Sequence, residues 1–455
     1  MKEGVIMDDV IKWQYEQKVI PAEEAVKYVK SGDSVSYGEF ALFPRTLDAY
    51  LAKRANELED VQVMGVSFTS VPEIVKADPE RKHFILQDLH FSAISRYIGD
   101  RNLCHYIPNT YQQGPRIIRK YFDIDVAFIS VSPMDGRGFF NIGLANSVTP
   151  AAIYKAKIVI AEVNENIPTC LGGNQESIHL SQIDYIVEGR NDPLFEIPNI
   201  PPTPEDEKIA QIILNEIEDG SCLQLGIGGL PNAVGALIAD SDLKDLGVHS
   251  EMMMDAFVDL YEKGRITGAK KTIDKFKMVY TFALGSKRLY EFLDHNPVCA
   301  SYPVDYTNDP RIIALNDRII AINNALSVDL LTQVSSETVG TRQISGTGGQ
   351  LDFVIGAFNS SRGKGIICLH STYQDSKGEF HSRITPTLPL GSVTTVPRSM
   401  VQYIATEYGI AQFKGKSTWA RAESLIEIAH PDFRDGLIKE AEKMKIWIKS
   451  NKLEI

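Results

Sequence analysis

The segment Gly220-Ser-Cys-Leu-Gln-Leu-Gly226-Ile-Gly-Gly-Leu-Pro231-Asn-Ala-Val234 carries the plainest fold signal in the chain. A turn glycine opens a short run of strand-forming residues, glycines 226, 228 and 229 follow, and Pro231 stands in the first turn of a helix, where a missing N–H is harmless. Strand, glycine loop and helix in that order open a βαβ unit and make this region α/β with a parallel sheet. The glycines let a ligand approach the backbone closely, and the helix N-terminus favours an anion or a developing oxyanion. A tight strand-to-helix turn without a ligand fits the same residues equally well. A dinucleotide fingerprint does not, because it would want a third glycine where Pro231 stands.

Working outward, the same motif occurs once more: Gly32-Asp-Ser-Val-Ser-Tyr-Gly38 leads to Pro44, and both copies space their first two glycines six residues apart. Runs of β-formers at Val61–Val66, Val126–Val131 and Ile158–Val163 alternate with helical stretches such as Pro21–Lys30. Pro193–Glu205, which also holds Pro198, Pro201, Pro202 and Pro204, reads as a linker. At 455 residues the chain is too long for one ordinary core. Together these features predict two related open α/β domains, residues 1–200 and 201–455.

Composition narrows the function classes. A formal net charge of −12 disfavours nucleic acid and anionic membranes as partners, because both need a basic face, but a local pocket can still hold an anionic small molecule. Cys104, Cys170, Cys222, Cys299 and Cys368 are scattered, with no zinc-ligand spacing, so no metal is expected and a reducing, cytoplasmic setting is. The first residues lack an apolar signal region, and runs such as Ile158–Val163 fall far short of the ~20 residues that span a bilayer. Lys439–Lys452 interleaves basic, acidic and apolar residues and reads as the solvated face of a terminal helix.

Two further segments bear on chemistry. Glu251 follows a short apolar run in Leu246-Gly-Val-His-Ser-Glu251 and precedes a helical stretch. A carboxylate at a strand end of an α/β fold faces the ligand crevice, whereas spacings of four and three let Glu251, Asp255, Asp259 and Glu262 share one solvated helix face. His249 reads as well as a structural histidine as a catalytic one. A second glycine loop, Ser345-Gly-Thr-Gly-Gly349-Gln-Leu-Asp352, follows Ile319-Ile-Ala-Ile-Asn323, and two such loops can converge their amides on one reacting carbonyl.

The ordered set GIGGLPNAV, HSEMMMDAFVDLYEKG, SGTGGQLDFVIGA, VTTVPRSMVQYIATEYGIAQFKGKS and AHPDF, with DVAFISVSPMDGRGFFNIGLA and AEVNENIPTCLGG in the first half, resembles the family I CoA-transferases over almost the whole chain. Within that family it is similar to the butyryl-CoA:acetate and 4-hydroxybutyrate CoA-transferase branch, beside the acetyl-CoA hydrolase/transferase group. The resemblance implies the CoA-transferase fold in both halves, an active site at their interface and Glu251 as nucleophile. It implies coenzyme A contacts at Gly226, Ile227, Gly228, Gly229, Leu230, Asn323, Leu326 and Gly349, with a lysine role falling to Lys377 or, in its place, Gln374. No permanently bound cofactor or metal is implied: acyl-CoA and a short-chain carboxylate such as acetate are the substrates, and a homodimer or larger assembly is implied as well. Pro168–Gly173 favours the butyryl-type enzymes. The first-half pocket around Tyr37–Phe43 and Phe91–Arg96 departs from both groups, which leaves other short acids open, and hydrolysis or non-catalytic binding of a CoA ester or sugar phosphate on the same scaffold are the rival readings.

Overall fold

The computed structural model describes residues 9–198, 200–226 and 228–447. Its two large sheets contain fifteen strands, numbered here in chain order. The first sheet comprises β1 (Ser34–Tyr37), β2 (Val61–Gly65), β3 (Phe84–Asp88), β4 (His105–Tyr106), β5 (Val126–Val131), β6 (Ile158–Val163) and β7 (Tyr185–Glu188). It is wholly parallel, in the order β4-β3-β2-β1-β5-β6-β7. The second comprises β8 (Cys222–Leu225), β9 (Gly247–His249), β10 (Met278–Tyr280), β11 (Cys299–Ser301), β12 (Ile319–Asn324), β13 (Lys364–Cys368), β14 (Tyr403–Thr406) and β15 (Gly409–Gln412). Its order, β11-β10-β9-β8-β12-β13-β14-β15, repeats the first strand for strand and adds one antiparallel edge.

The sequence repeat is therefore a structural one. Gly32 and Gly220, each just ahead of its central strand, both adopt left-handed φ, +83° and +77°, which an L side chain adopts only with strain. β5 is buried along its full length and β6 at all but its first residue, as expected of parallel strands covered by helices on both faces. In each sheet the strand order reverses beside the central strand, and a crevice forms at that switch point, at the carboxyl ends of the strands.

Two sequence expectations shift in detail. Pro21–Lys30 gives only a four-residue helix, Ala22–Ala25, followed by a 3-10 turn, Val26–Tyr28. The linker ends at Thr203 rather than Glu205. There Asp206 N–H donates to Thr203 Oγ1 (3.1 Å) and Thr203 N–H to Asp206 Oδ2 (2.9 Å), a reciprocal cap that starts the helix Pro204–Leu214 with proline at its first position. All five cysteines are free and buried. No helix among the described residues is long and apolar enough to cross a membrane. The basic C-terminal stretch forms the end of the helix Pro431–Lys443, and residues 448–455 lie outside the described residues.

Candidate active site

Glu251 sits just beyond β9, and its backbone is pinned there: its carbonyl accepts from Thr281 N–H (3.1 Å) and Phe282 N–H (3.3 Å), beside the short parallel pairing of Met252–Met253 with Phe282–Ala283. It is not part of the helix, which begins at Asp255. Asp255 instead accepts from Ser286 N–H (2.8 Å), while Asp259 and Glu262 pair with the exposed Arg288. The shared-face reading thus separates into two, since the helix acids are fixed to Ser286 and Arg288 and Glu251 faces the crevice.

Two donors hold the Glu251 carboxylate. Asn308 Nδ2 donates to Oε2 at 2.6 Å, and the Gly349 N–H bonds to the same group. Burial dominates nonetheless and pushes the carboxyl up to about 7, with the two hydrogen bonds opposing that rise. Gly349 has to be glycine, because a Cβ there would lie 2.0 Å from Glu251 Oε2 and 2.2 Å from Asn308 Nδ2. Behind Asn308 stands His249. Its Nε2–H donates to the Thr307 carbonyl at 2.8 Å, the residue before Asn308, and Asn316 Nδ2 approaches its Nδ1 at 3.4 Å. Burial pushes this imidazole down to about 4, so it is a neutral positioning group.

The second glycine loop is held by the other half of the chain. Tyr111 N–H donates to Gly348 O (3.0 Å), Thr347 N–H to the Tyr106 hydroxyl (3.1 Å), Gln112 N–H to Asp352 Oδ2 (3.2 Å) and Arg96 to Ile344 O (2.6 Å). His90 meets Ser345 Oγ at 3.0 Å and is kept neutral by burial, its pKa pushed down to about 4. The site is therefore built across the interface between the two sheets.

Three cavities meet here. A small one of 200 Å³ brings together Glu251, Gly226, Asn323 and Gly349. A larger cavity of 460 Å³ also opens on Glu251 and is walled by aromatic and aliphatic side chains, Phe40, Phe68, Phe91, Phe195 and Phe282 among them. A groove of 540 Å³ passes Gly228, Asn232, Arg288 and the linker prolines Pro198, Pro201 and Pro202. Of the remaining sequence candidates, Gly229 starts the helix Gly229–Asp240, Leu230 is buried beneath it, and Ile227 lies outside the described residues. Leu326 is half-buried and donates its N–H to Ser335 O. Lys377 is on the exposed turn of the hairpin Thr372–Gln374/Phe380–Ser382, where Gln374 Nε2 donates to Gly378 O (2.9 Å); neither is among the residues lining the three cavities. Asn308, Tyr111 and His90 escaped the sequence reading because nothing local to Tyr302–Pro310 or Leu89–Tyr111 marks them; only packing brings them to Glu251.

Residues 6–198 match the acetyl-CoA hydrolase/transferase N-terminal domain and residues 285–441 the corresponding C-terminal domain. The chain belongs to this family. It is 50% identical over 443 residues to the butyryl-CoA:acetate CoA-transferase of Anaerostipes caccae, covering 97% of this chain and 99% of that one. It is 49% identical to a probable butyrate:acetyl-CoA coenzyme A-transferase of Syntrophomonas wolfei, covering 97% and 98%. The crystal structure of RipA from Yersinia pestis superposes with a TM-score of 0.87 at 36% identity, covering 96% of this chain and 99% of that one. Glu251 lies between the two matched stretches, inside the span that the full-length relatives cover. The protein is an enzyme of the CoA-transferase class, with acyl-CoA as a substrate.

Proposed function

We propose that this enzyme moves coenzyme A between butyryl-type apolar acids and acetate through a glutamyl-CoA thioester on Glu251. The observation that carries the choice of acid is the state of the polar groups in the 460 Å³ cavity. Ser67 Oγ donates to His90 O (2.9 Å), Thr69 Oγ1 to Phe40 O (3.1 Å), Ser92 Oγ to Phe68 O (2.5 Å), and Asn109 Nδ2 to both Leu89 O (3.0 Å) and Ile107 O (2.8 Å). The Tyr111 hydroxyl is engaged with Ser147. No lysine or arginine is among the described lining residues, and His90 is neutral. A distal carboxylate on the acyl group would meet no cation and only donors that are already engaged, at a cost of ~1–3 kcal/mol or more. This favours butyryl over succinyl groups.

In this reading a Glu251 oxygen attacks the thioester carbonyl and the CoA thiolate leaves, forming a mixed anhydride. The thiolate then attacks the glutamyl carbonyl and expels the free carboxylate, leaving Glu251 as a CoA thioester. Acetate reverses both steps, so thioester is exchanged for thioester. Asn308 Nδ2 and Gly349 N–H already bond to the carboxyl and would carry the oxyanion formed when the glutamyl carbonyl is attacked, where one donor is worth ~3 kcal/mol. Gly226–Leu230, Asn323, Leu326, Gly349 and Lys377 would contact coenzyme A. Domains at 1–200 and 201–455, a cytoplasmic setting and a homodimer or larger assembly belong to the same reading.

The test is intact mass after mixing with butyryl-CoA, followed by borohydride reduction and peptide mapping. A CoA adduct whose reduction product maps to Glu251 supports the reading. An adduct elsewhere, or release of CoA without acceptor acid and without an adduct, overturns it in favour of another nucleophile or of hydrolysis.

A further inference from the structure

The segment joining the two sheets does more than connect them. Three consecutive residues are tied to one short stretch of the second half: Tyr290 hydroxyl donates to Phe195 O (2.6 Å), Lys287 N–H to Glu196 Oε2 (3.0 Å), and Ile197 N–H to Gly285 O (3.1 Å). That stretch continues directly from Phe282 and Leu284, which line the large cavity together with Phe195 and Ile197. Ile197 and Leu284 also line the groove that passes Gly228 and Arg288, so they form the partition between the two spaces. The linker is thus a fixed wall rather than a loose strap.

The cavity it closes is large for a four-carbon acid. Its 460 Å³ falls within the ~300–1,000 Å³ of pockets that hold drug-sized ligands. A methylene takes about the ~30 Å³ of a water molecule, so a butyryl group fills only about a quarter of it. We infer that Phe195 and Ile197 are the wall that sets the acyl length limit, and that the cavity they bound accepts apolar chains longer than butyryl, a six-carbon chain filling only about two fifths of it. This rests on the cavity being the acyl site of the proposed reaction. The phenyl ring of Phe195 defines the wall, and the Tyr290 hydroxyl holds the backbone that presents it.

The experiment is kcat/KM for butyryl-, hexanoyl- and octanoyl-CoA at fixed acetate, in the wild-type enzyme, Phe195→Ala and Tyr290→Phe. Wild-type hexanoyl-CoA should react within about tenfold of butyryl-CoA. Phe195→Ala should raise the octanoyl-to-butyryl ratio about tenfold, the scale on which a pocket senses chain length. Tyr290→Phe keeps every ring in place and should move the ratio in the same direction by about threefold, the worth of one hydrogen bond. A hundredfold drop from butyryl to hexanoyl in the wild type, or ratios unchanged in both variants while butyryl transfer persists, would overturn the inference alone. No butyryl-to-acetate transfer by the wild type would overturn the functional reading beneath it.

Discussion

Residues 32–52 and 220–240 are one strand, loop and helix built twice, and they differ in what stands at the helix N-terminus. Strand register makes the two halves comparable. Tyr37 lies beside Phe128 and Phe128 beside Ile160, as Leu225 lies beside Ile322 and Ile322 beside Ile366. Two residues further along the third strand the first half has Glu162 and the second has Cys368. Glu162 accepts from Thr46 N–H (3.0 and 3.1 Å) and Leu47 N–H (2.9 Å), so the helix Arg45–Ala52 carries an anion of the protein's own. Cys368 brings a buried neutral thiol, and the helix Gly229–Asp240 begins without a side-chain cap.

The same register, pairing Val35 with Val63 and Leu223 with Val248, puts Val66 where the second half has Glu251. The first-half loop reaches left-handed φ at Phe40, whose ring stacks on Phe282 of the other half (4.0 Å, 7°), while the second-half loop uses Gly228. One half caps its helix with Glu162, has valine at the Glu251 position and walls the pocket through Phe40; the other has the acid and no side-chain cap. A shared fold does not confer function; the groups placed at its switch points do.

The comparison breaks most visibly at Glu251. Glu251→Gln should lower butyryl-CoA:acetate transfer by about four orders of magnitude or more, because the amide is a poor nucleophile. The wild-type kcat/KM should rise about tenfold per pH unit below 7 and level off above it, because only the carboxylate attacks and its pKa is about 7. The stability sign is opposite. The folded state holds this proton more tightly than an ordinary carboxyl near 4.5, so stability falls as pH rises from there through 7. Glu251→Gln should therefore be more stable than wild type at pH 8, by at most about 3 kcal/mol, measurable by thermal or urea denaturation at pH 5 and pH 8. Equal stability of the two at both pH values would remove burial as the cause of the raised pKa.

Gly349→Ala comes next. Its methyl group would collide with both Glu251 and Asn308, and turnover should fall about 10²–10³-fold with the fold retained, the cost of one displaced oxyanion donor. His249→Gln should cost roughly fivefold to tenfold in kcat with little change in KM, through a looser Thr307–Asn308 peptide. A purely structural histidine would leave the midpoint of the pH profile in place; a positioning one moves it, because Asn308 tunes Glu251. The smallest kinetic effect belongs to the first half. Glu162→Ala should destabilise by about 1–2 kcal/mol through its lost cap and leave kcat and KM within about twofold. A large kinetic effect there would mean that the first-half cap is not purely structural.

Much of this was legible locally. The strands β5 and β6 fall on the residues their β-formers mark, the glycine repeat became two matching sheets, and the ordered motifs implied the family that the comparisons show. Backbone demands such as glycine at left-handed φ and proline in a first turn are written residue by residue, so they survive without the rest of the chain. Helix length was less legible, as Ala22–Ala25 shows, because a short helix is set by what it packs on.

What sequence alone determined was the alternation of strand and helix, the two glycine loops and a carboxylate between them. Tertiary structure decided which acid of the row Glu251, Asp255, Asp259 and Glu262 faces the crevice, that Asn308, 57 residues away, is its partner, and that the linker is a pocket wall. The physical reason is that desolvation, hydrogen-bond partnership and cavity shape are sums over atoms distant along the chain. They exist only once both sheets have closed on one another.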